Sequence, residues 1–146
     1  MKSLEAVTNI LDDQVNGYKK LLELLQKERT CLIDLNAECV EEISKAKDTL
    51  IFKLRLLEAE RIRLMKDFSD DEISLQRLSE ITGNKKFLDT RSTLVSLLQS
   101  INELNSFNKV LLERSLNYIK SSSNFFGFFD SNGSSTPKGT LISGEM

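Results

Sequence analysis

The chain has 146 residues, of which 40% are hydrophobic and 29% are charged, and its formal net charge is −2. That length fits one domain, and a nearly neutral total gives no sign of nucleic-acid binding. The chain contains no His, so the commonest general base, the commonest metal ligand and the usual base of a catalytic triad are all absent. We therefore expect no catalytic residue, no cofactor and no metal site.

The first predicted element is one very long helix over residues 3–67. Nothing N-terminal to Pro137, the single proline, removes a backbone donor or clashes with a preceding turn. Apolar side chains recur at steps of three and four, which is helical spacing. The stripe consists of Leu4, Val7, Leu11, Val15, Tyr18, Leu22, Leu25, Leu32, Leu35, Cys39, Ile43, Ala46, Leu50, Leu54, Leu57, Arg61, Leu64 and Phe68. A helix of about 95 Å is best accommodated in a long antiparallel hairpin or coiled coil. The turn-like dipeptide Asn16-Gly17 leaves a break or kink open as an alternative.

The two cysteines, Cys31 and Cys39, fall on this first helix. Eight residues of helix span roughly 12 Å, which is too far for a disulfide. We therefore expect two reduced thiols, as is usual in a cytosolic protein. The N-terminal residues lack the apolar run of a signal peptide, and no run reaches the ~18 apolar residues of a membrane span, so we expect a cytoplasmic protein without stable membrane insertion.

Two further helices are predicted, over residues 70–82 and 86–123. The run Ser69-Asp70-Asp71-Glu72 has the pattern of a capping box, and Gly83-Asn84 is a plausible stop. The short helix should turn Ile73, Leu78 and Ile81 inward. The stripe of the long one consists of Leu94, Leu97, Leu98, Ile101, Leu104, Asn108, Leu111, Leu112, Tyr118 and Ile119. The predicted fold is thus an all-α bundle of three helices over residues 1–123.

Two features near the C-terminus each have two interpretations. Asn105 and Asn108 lie on or beside an apolar seam, where amides need partners. They can set the register of the helix, as polar residues at core positions do, or they can bond to the backbone of a bound protein. The residues Phe125, Phe126, Phe128 and Phe129 then surround Gly127, and can either cap the bundle or form an exposed adhesive patch.

The last residues, 130–146, are rich in Ser, Gly and Thr, and we expect a disordered tail. With the Phe cluster they form the predicted C-terminal segment, residues 124–146. Charge is unevenly distributed before it, since residues 45–66 contain three acids and seven bases. The simplest interpretation of that block is a solvated helix face with local ion pairs, such as Glu58 with Arg61.

Several runs in their order along the chain resemble the FlgN-type flagellar export chaperones. The first helix contributes Tyr18-x-x-Leu21-Leu22-x-Leu24, then Glu28, then Leu57-Glu58-x-x-Arg61-x-x-Leu64. The third helix contributes Asn105-x-x-Asn108-x-x-Leu111-Leu112-x-x-Ser115-Leu116. Phe129-Asp130-x-x-Gly133 is similar to an aromatic-acid-x-x-Gly element that follows the last helix in that family, with Phe where Tyr is usual.

The resemblance implies a cytoplasmic chaperone that binds the C-terminal helical segments of hook-filament junction proteins. It also implies that the chaperone prevents their premature assembly and delivers them to the flagellar type III export gate. Client binding in the family lies in the C-terminal part. The residues we expect to contact the client are Asn105, Asn108, Leu111, Leu112, Leu116, Tyr118, Ile119, Phe125, Phe126, Phe128 and Phe129.

Two other classes of protein fit the same pattern. A structural coiled-coil oligomer would use the apolar stripe for self-association, and a homodimer stays open on the sequence alone. An adaptor of another secretion system would use the stripe for a different partner.

Overall fold

The computed structural model describes the backbone of residues 2–68 and 74–129, and the side chains of residues 4–68, 74–118 and 120. The chain forms four α-helices within this part: α1 (Lys2–Ile33), α2 (Ala37–Met65), α3 (Leu75–Thr82) and α4 (Lys86–Phe129). No strand occurs in the described ranges, so the all-α prediction is confirmed. The predicted count of three helices is wrong, because the expected first helix is two helices.

The predicted helix over 3–67 ends at Ile33 because a tight turn follows it. Leu35 adopts a left-handed conformation with φ of 54°. Its amide donates to the carbonyl of Leu32, and the amide of Asn36 donates to the carbonyl of Cys31, which is the bonding pattern of a Schellman C-cap. The Asn36 side chain then accepts from the amide of Cys39 and caps the start of α2. Only three residues, 34–36, separate the end of α1 from the start of α2, so the two helices fold back as a hairpin.

The hairpin also overturns the prediction for the cysteines. The turn brings the Cα atoms of Cys31 and Cys39 to 5.6 Å, and the two residues form a disulfide. The expected separation assumed one continuous helix. A separation of this size lies in the usual range for a disulfide, and the bridge joins the last turn of α1 to the first turn of α2.

The alternative of a break at Asn16-Gly17 is not what the structure shows, because α1 continues through both residues. Gly17 serves packing between helices instead. A Cβ atom placed on Gly17 would lie 2.6 Å from Cδ2 of Leu54 on α2. The missing side chain lets Leu54, which is 5% exposed, pack directly on the α1 backbone.

The short helix α3 begins later than the predicted residue 70. Its N-cap is Ser74, whose hydroxyl accepts from the amide of Arg77. The predicted capping box at Ser69–Glu72 and the predicted inward side chain of Ile73 lie outside the described residues. Leu78 is fully buried, as expected, whereas the inward prediction for Ile81 is wrong, since its side chain is 49% exposed.

The connection from α3 to α4 agrees with the prediction from the sequence. Gly83 ends α3 in a left-handed conformation with φ of 70°, and its amide donates to the carbonyl of Ser79. A glycine accepts this conformation without the steric cost of a Cβ. The predicted start of the last helix at residue 86 is correct, and the helix runs to Phe129 instead of ending near residue 123.

Two apolar clusters hold the helices together. The first lies at the end of the bundle that contains the start of α1, and its buried members are Val7, Leu11, Leu64, Met65, Leu78 and Phe87. The second lies further along α1, where Leu21, Leu25 and Leu54 are buried and Ile101 and Leu104 pack on them. Residues early in α4 therefore meet residues early in α1, and later residues meet later ones. It follows that α4 runs parallel to α1, while α2 runs antiparallel to it.

Candidate functional site

The register of α4 on the hairpin is set by a buried polar cluster that joins three helices. Asn108 of α4 donates through Nδ2 to the carbonyl of Leu25 at 2.8 Å and to Oε1 of Glu28 at 2.9 Å. The other carboxylate oxygen of Glu28 lies 2.7 Å from Nζ of Lys47 on α2. Glu28, Lys47 and Asn108 are each at most 7% exposed.

The cluster fixes the position of α4 along the hairpin, because its hydrogen bonds would break if the helix shifted. Moving α4 by one helical turn would remove the amide from the Leu25 carbonyl and from Glu28, and buried polar groups left without partners are costly. One acceptor, Oδ1 of Asn108, is buried without a hydrogen-bond partner. Asn108 therefore bonds within the bundle, which agrees with the interpretation that it sets the register of the helix.

This register leaves the C-terminal part of α4 beyond the tip of the α1–α2 hairpin. Asn108 lies level with Glu28, and α1 ends at Ile33, only a little more than one turn further. The helix α4, however, continues to Phe129. From the level of Ile33 onward, α4 extends past the hairpin by about four turns, or roughly 24 Å. None of the other helices described reaches that far along the bundle.

Apolar side chains are exposed around this end of the molecule. Ile33 is 60% and Leu35 is 54% exposed at the hairpin tip, and Tyr118 on the extending part of α4 is 62% exposed. The tip presents Ile33 and Leu35 because the turn directs the chain back before either can be covered. Leu35 had been predicted as part of a continuous stripe, and Ile33 was not predicted as a surface residue.

The family comparison agrees with this architecture. The family model described as FlgN protein matches residues 1–136. The chain belongs to the FlgN family. The predicted resemblance is confirmed, and the FlgN family is one of flagellar export chaperones. No curated protein and no solved structure matches the chain.

The expected client-contact residues of this FlgN-family chain divide into three groups. Asn108 is buried and bonded within the bundle. Asn105, Leu111, Leu112 and Leu116 are half-buried, and Tyr118 is exposed. The side chains of Ile119, Phe125, Phe126, Phe128 and Phe129 lie outside the described residues. The half-buried leucines lie near the level of the hairpin tip, where α4 leaves α1.

A second polar cluster lies in the middle of the α1–α2 interface, away from that end. Glu58 accepts from Gln14 at 2.7 Å and pairs with Arg61, which confirms the predicted pair. The hydrogen bond from Arg61 lowers the pKa of Glu58, while burial raises the pKa of the neighbouring Tyr18 hydroxyl. The hydrogen bond from Gln14 to Glu58 crosses from α1 to α2, so this cluster helps to align the two helices.

Among the described residues, no group of three or more Cys, Asp or Glu side chains is placed to hold a metal ion. Of the helices described, none combines the length and the apolar character needed to cross a membrane. Where α4 extends past the α1–α2 hairpin, the described residues present apolar surface on a long helix.

Proposed function

We propose that this FlgN-family chain binds the C-terminal helical segments of hook-filament junction proteins in the bacterial cytoplasm. In doing so it prevents their premature assembly and delivers them to the flagellar type III export gate. The observation that carries the proposal is the extension of α4 past the hairpin tip with apolar residues on it and beside it. A long helix that continues past the other described helices is a surface on which another helix can pack.

The client side of such a contact is an amphipathic helix that has no partner of its own before assembly. It would lay its apolar face against α4, in the way that helical peptides occupy apolar grooves. Leu112, Leu116 and Tyr118 lie at or just past the level where α4 leaves the hairpin, and Ile33 and Leu35 are exposed at the hairpin tip. The complete proposed contact set adds Asn105, Leu111, Ile119, Phe125, Phe126, Phe128 and Phe129.

Asn108 enters this proposal in a different way from the leucines. Its two hydrogen bonds hold α4 to α1 at the base of the extension. A client that packs further along α4 therefore meets a helix whose position is already fixed, which reduces the ordering cost of binding. A direct contact from Asn108 to the client backbone would require these two bonds to open.

The proposal is tested by identifying what the chain captures in a flagellated bacterium. Tagged wild-type chain should co-purify hook-filament junction proteins, and a chain truncated after Lys120 should lose them while losing only the helical signal of residues 121–129. Leu88→Ser is a matched control, because Leu88 is exposed on the same helix at its opposite end. Capture that survives the truncation would place the site elsewhere. Capture of other proteins, without any junction protein, would refute the proposed clients.

A further inference from the structure

A second apolar surface lies on the outer face of α2, far from the end of α4. Phe52 is 64% and Leu56 is 56% exposed. Both point away from α1, because Leu54 between them is buried against it. The exposed residues of this outer stripe are Glu38, Glu41, Lys45, Thr49, Phe52, Leu56, Ala59 and Arg63, and their steps of three and four give one straight face.

The charges on this outer face are arranged with opposite signs at its two ends. Glu38 and Glu41 lie near the start of α2, and Arg63 and Lys66 lie at its end. Along the helix, Glu41 and Arg63 are equidistant from Phe52, and so are Glu38 and Lys66. A two-fold axis through Phe52 would therefore bring each acid of one chain to a base of another.

We propose that the outer face of α2 is a homodimer interface, in which two copies of the chain pair antiparallel about Phe52. Glu41 of each copy then faces Arg63 of the other, and Glu38 faces Lys66. Phe52 meets its own counterpart, and Leu56 packs beside it. An isologous contact of this kind needs one self-complementary patch, and the stripe is self-complementary in both charge and apolar character.

Other pairings of the same face are disfavoured by its charges. A parallel pairing would place Lys45 on Lys45 and Arg63 on Arg63. Sliding the antiparallel pair so that Phe52 meets Leu56 would bring Lys45 to Arg63. Like charges placed opposite one another are destabilising, so the register centred on Phe52 is favoured over these two pairings.

The ion pairs already present on this face do not prevent the dimer. Glu41 lies 3.6 Å from Lys45 within the same helix, and the side chains of both are more than half exposed. Arg63 pairs with Glu60, and the Arg63 side chain is 67% exposed. Exposed pairs of this type contribute little, so Glu41 and Arg63 can exchange these partners for ones in a second copy. Unlike client binding, formation of this dimer requires no flagellar protein.

Sedimentation equilibrium of the full chain over a concentration series tests the interface. We expect a reversible monomer–dimer equilibrium, which Phe52→Ser with Leu56→Ser shifts to monomer. Leu98→Ser on α4 is the matched control, since Leu98 is 45% exposed and lies on another helix. A chain that is monomeric at every concentration overturns the proposal, as does a dimer that survives the double change. A dimer that forms only with another protein present also overturns it.

The register is tested by exchanging charges. Arg63→Glu should weaken the dimer by about tenfold, because it places a like charge opposite Glu41 at two symmetric contacts. Adding Glu41→Arg should restore the dimer, because the exchanged charges again meet across the two-fold axis. Circular dichroism of each variant controls for loss of helix. If the exchange fails to restore a dimer while the helix content is kept, this register is wrong and the proposed interface with it.

Discussion

The buried pair of Glu28 and Lys47 allows a sharp test of the arrangement of α1, α2 and α4. Lys47→Met removes the cation and keeps an apolar side chain of similar length. It leaves the Glu28 carboxylate 7% exposed with only the Asn108 amide beside it. Breaking a buried ion pair by removing one partner costs about 3–5 kcal/mol. That is a large share of the 5–15 kcal/mol that is typical of a folded domain.

Removing the buried charge as well should restore most of the loss. Gln in place of Glu28 can still accept from Asn108, and in Lys47→Met with Glu28→Gln no ion is left in the interior. Replacing both members of a buried ion pair is often close to neutral, so we expect the double variant to lie within about 1–2 kcal/mol of wild type. The two changes are therefore not additive. Glu28→Gln should stabilise a chain that already contains Lys47→Met, although it alters a second member of the same buried contact.

Lys45 provides the matched control, two positions before Lys47 on the same helix. Its side chain is 76% exposed and pairs with Glu41 at 3.6 Å. Lys45→Met should change the free energy of unfolding by no more than about 1 kcal/mol. The measurement is urea unfolding followed by circular dichroism at pH 7. If Lys47→Met behaves like Lys45→Met, the Glu28 pair is not buried between three helices and the described register of α4 is wrong.

Three further expectations follow from other contacts. Gly17→Ala should destabilise the chain by up to about 2 kcal/mol, because the cost of the new Cβ at 2.6 Å from Leu54 outweighs the roughly 1 kcal/mol by which a helix favours Ala over Gly; a raised melting temperature would mean that the helices do not approach so closely. Leu78→Ala should cost about 2–5 kcal/mol, since Leu78 is fully buried, whereas Ile81→Ala on the same short helix should cost far less. Glu58 has a lowered pKa through Arg61, so it contributes stability above its ordinary value of 4.5 that is lost as the pH falls through the lowered one; unfolding of Glu58→Gln should depend less on pH in that window, and an unaltered pH dependence would contradict the pair.

The amino-acid sequence predicted the helical class and the stop at Gly83, because each rests on a local signal that packing does not override. It predicted the family because several runs keep their order along the chain. It did not predict the hairpin turn. Leu35 takes a left-handed conformation that usually marks Gly or Asn, and the apolar spacing continues across the turn without a gap. The one local signal for the turn is Asn36, a favourable N-cap residue inside an apparently continuous apolar pattern.

The missed turn explains the other errors on α1 and α2. The cysteines were placed on one helix, so their approach at the turn could not be expected. Lys47 is buried where the pattern favoured Ala46, which is exposed. A charged residue in a core position is identifiable only once its counter-charge is known, and Glu28 lies on the other arm of the hairpin.

The central claim, that the far end of α4 holds the client, is tested most directly by the affinity for a client helix. The assay is a titration of the full chain with a synthetic C-terminal segment of a hook-filament junction protein. A fully buried Phe contributes about 1.5–3 kcal/mol, so Phe125→Ala with Phe126→Ala should weaken binding by about 10² to 10⁴. Helix content should remain near wild type, and Leu88→Ser should bind normally. Full affinity in the double Phe variant would contradict the proposed site, and loss of helix together with binding would make the cluster part of the core.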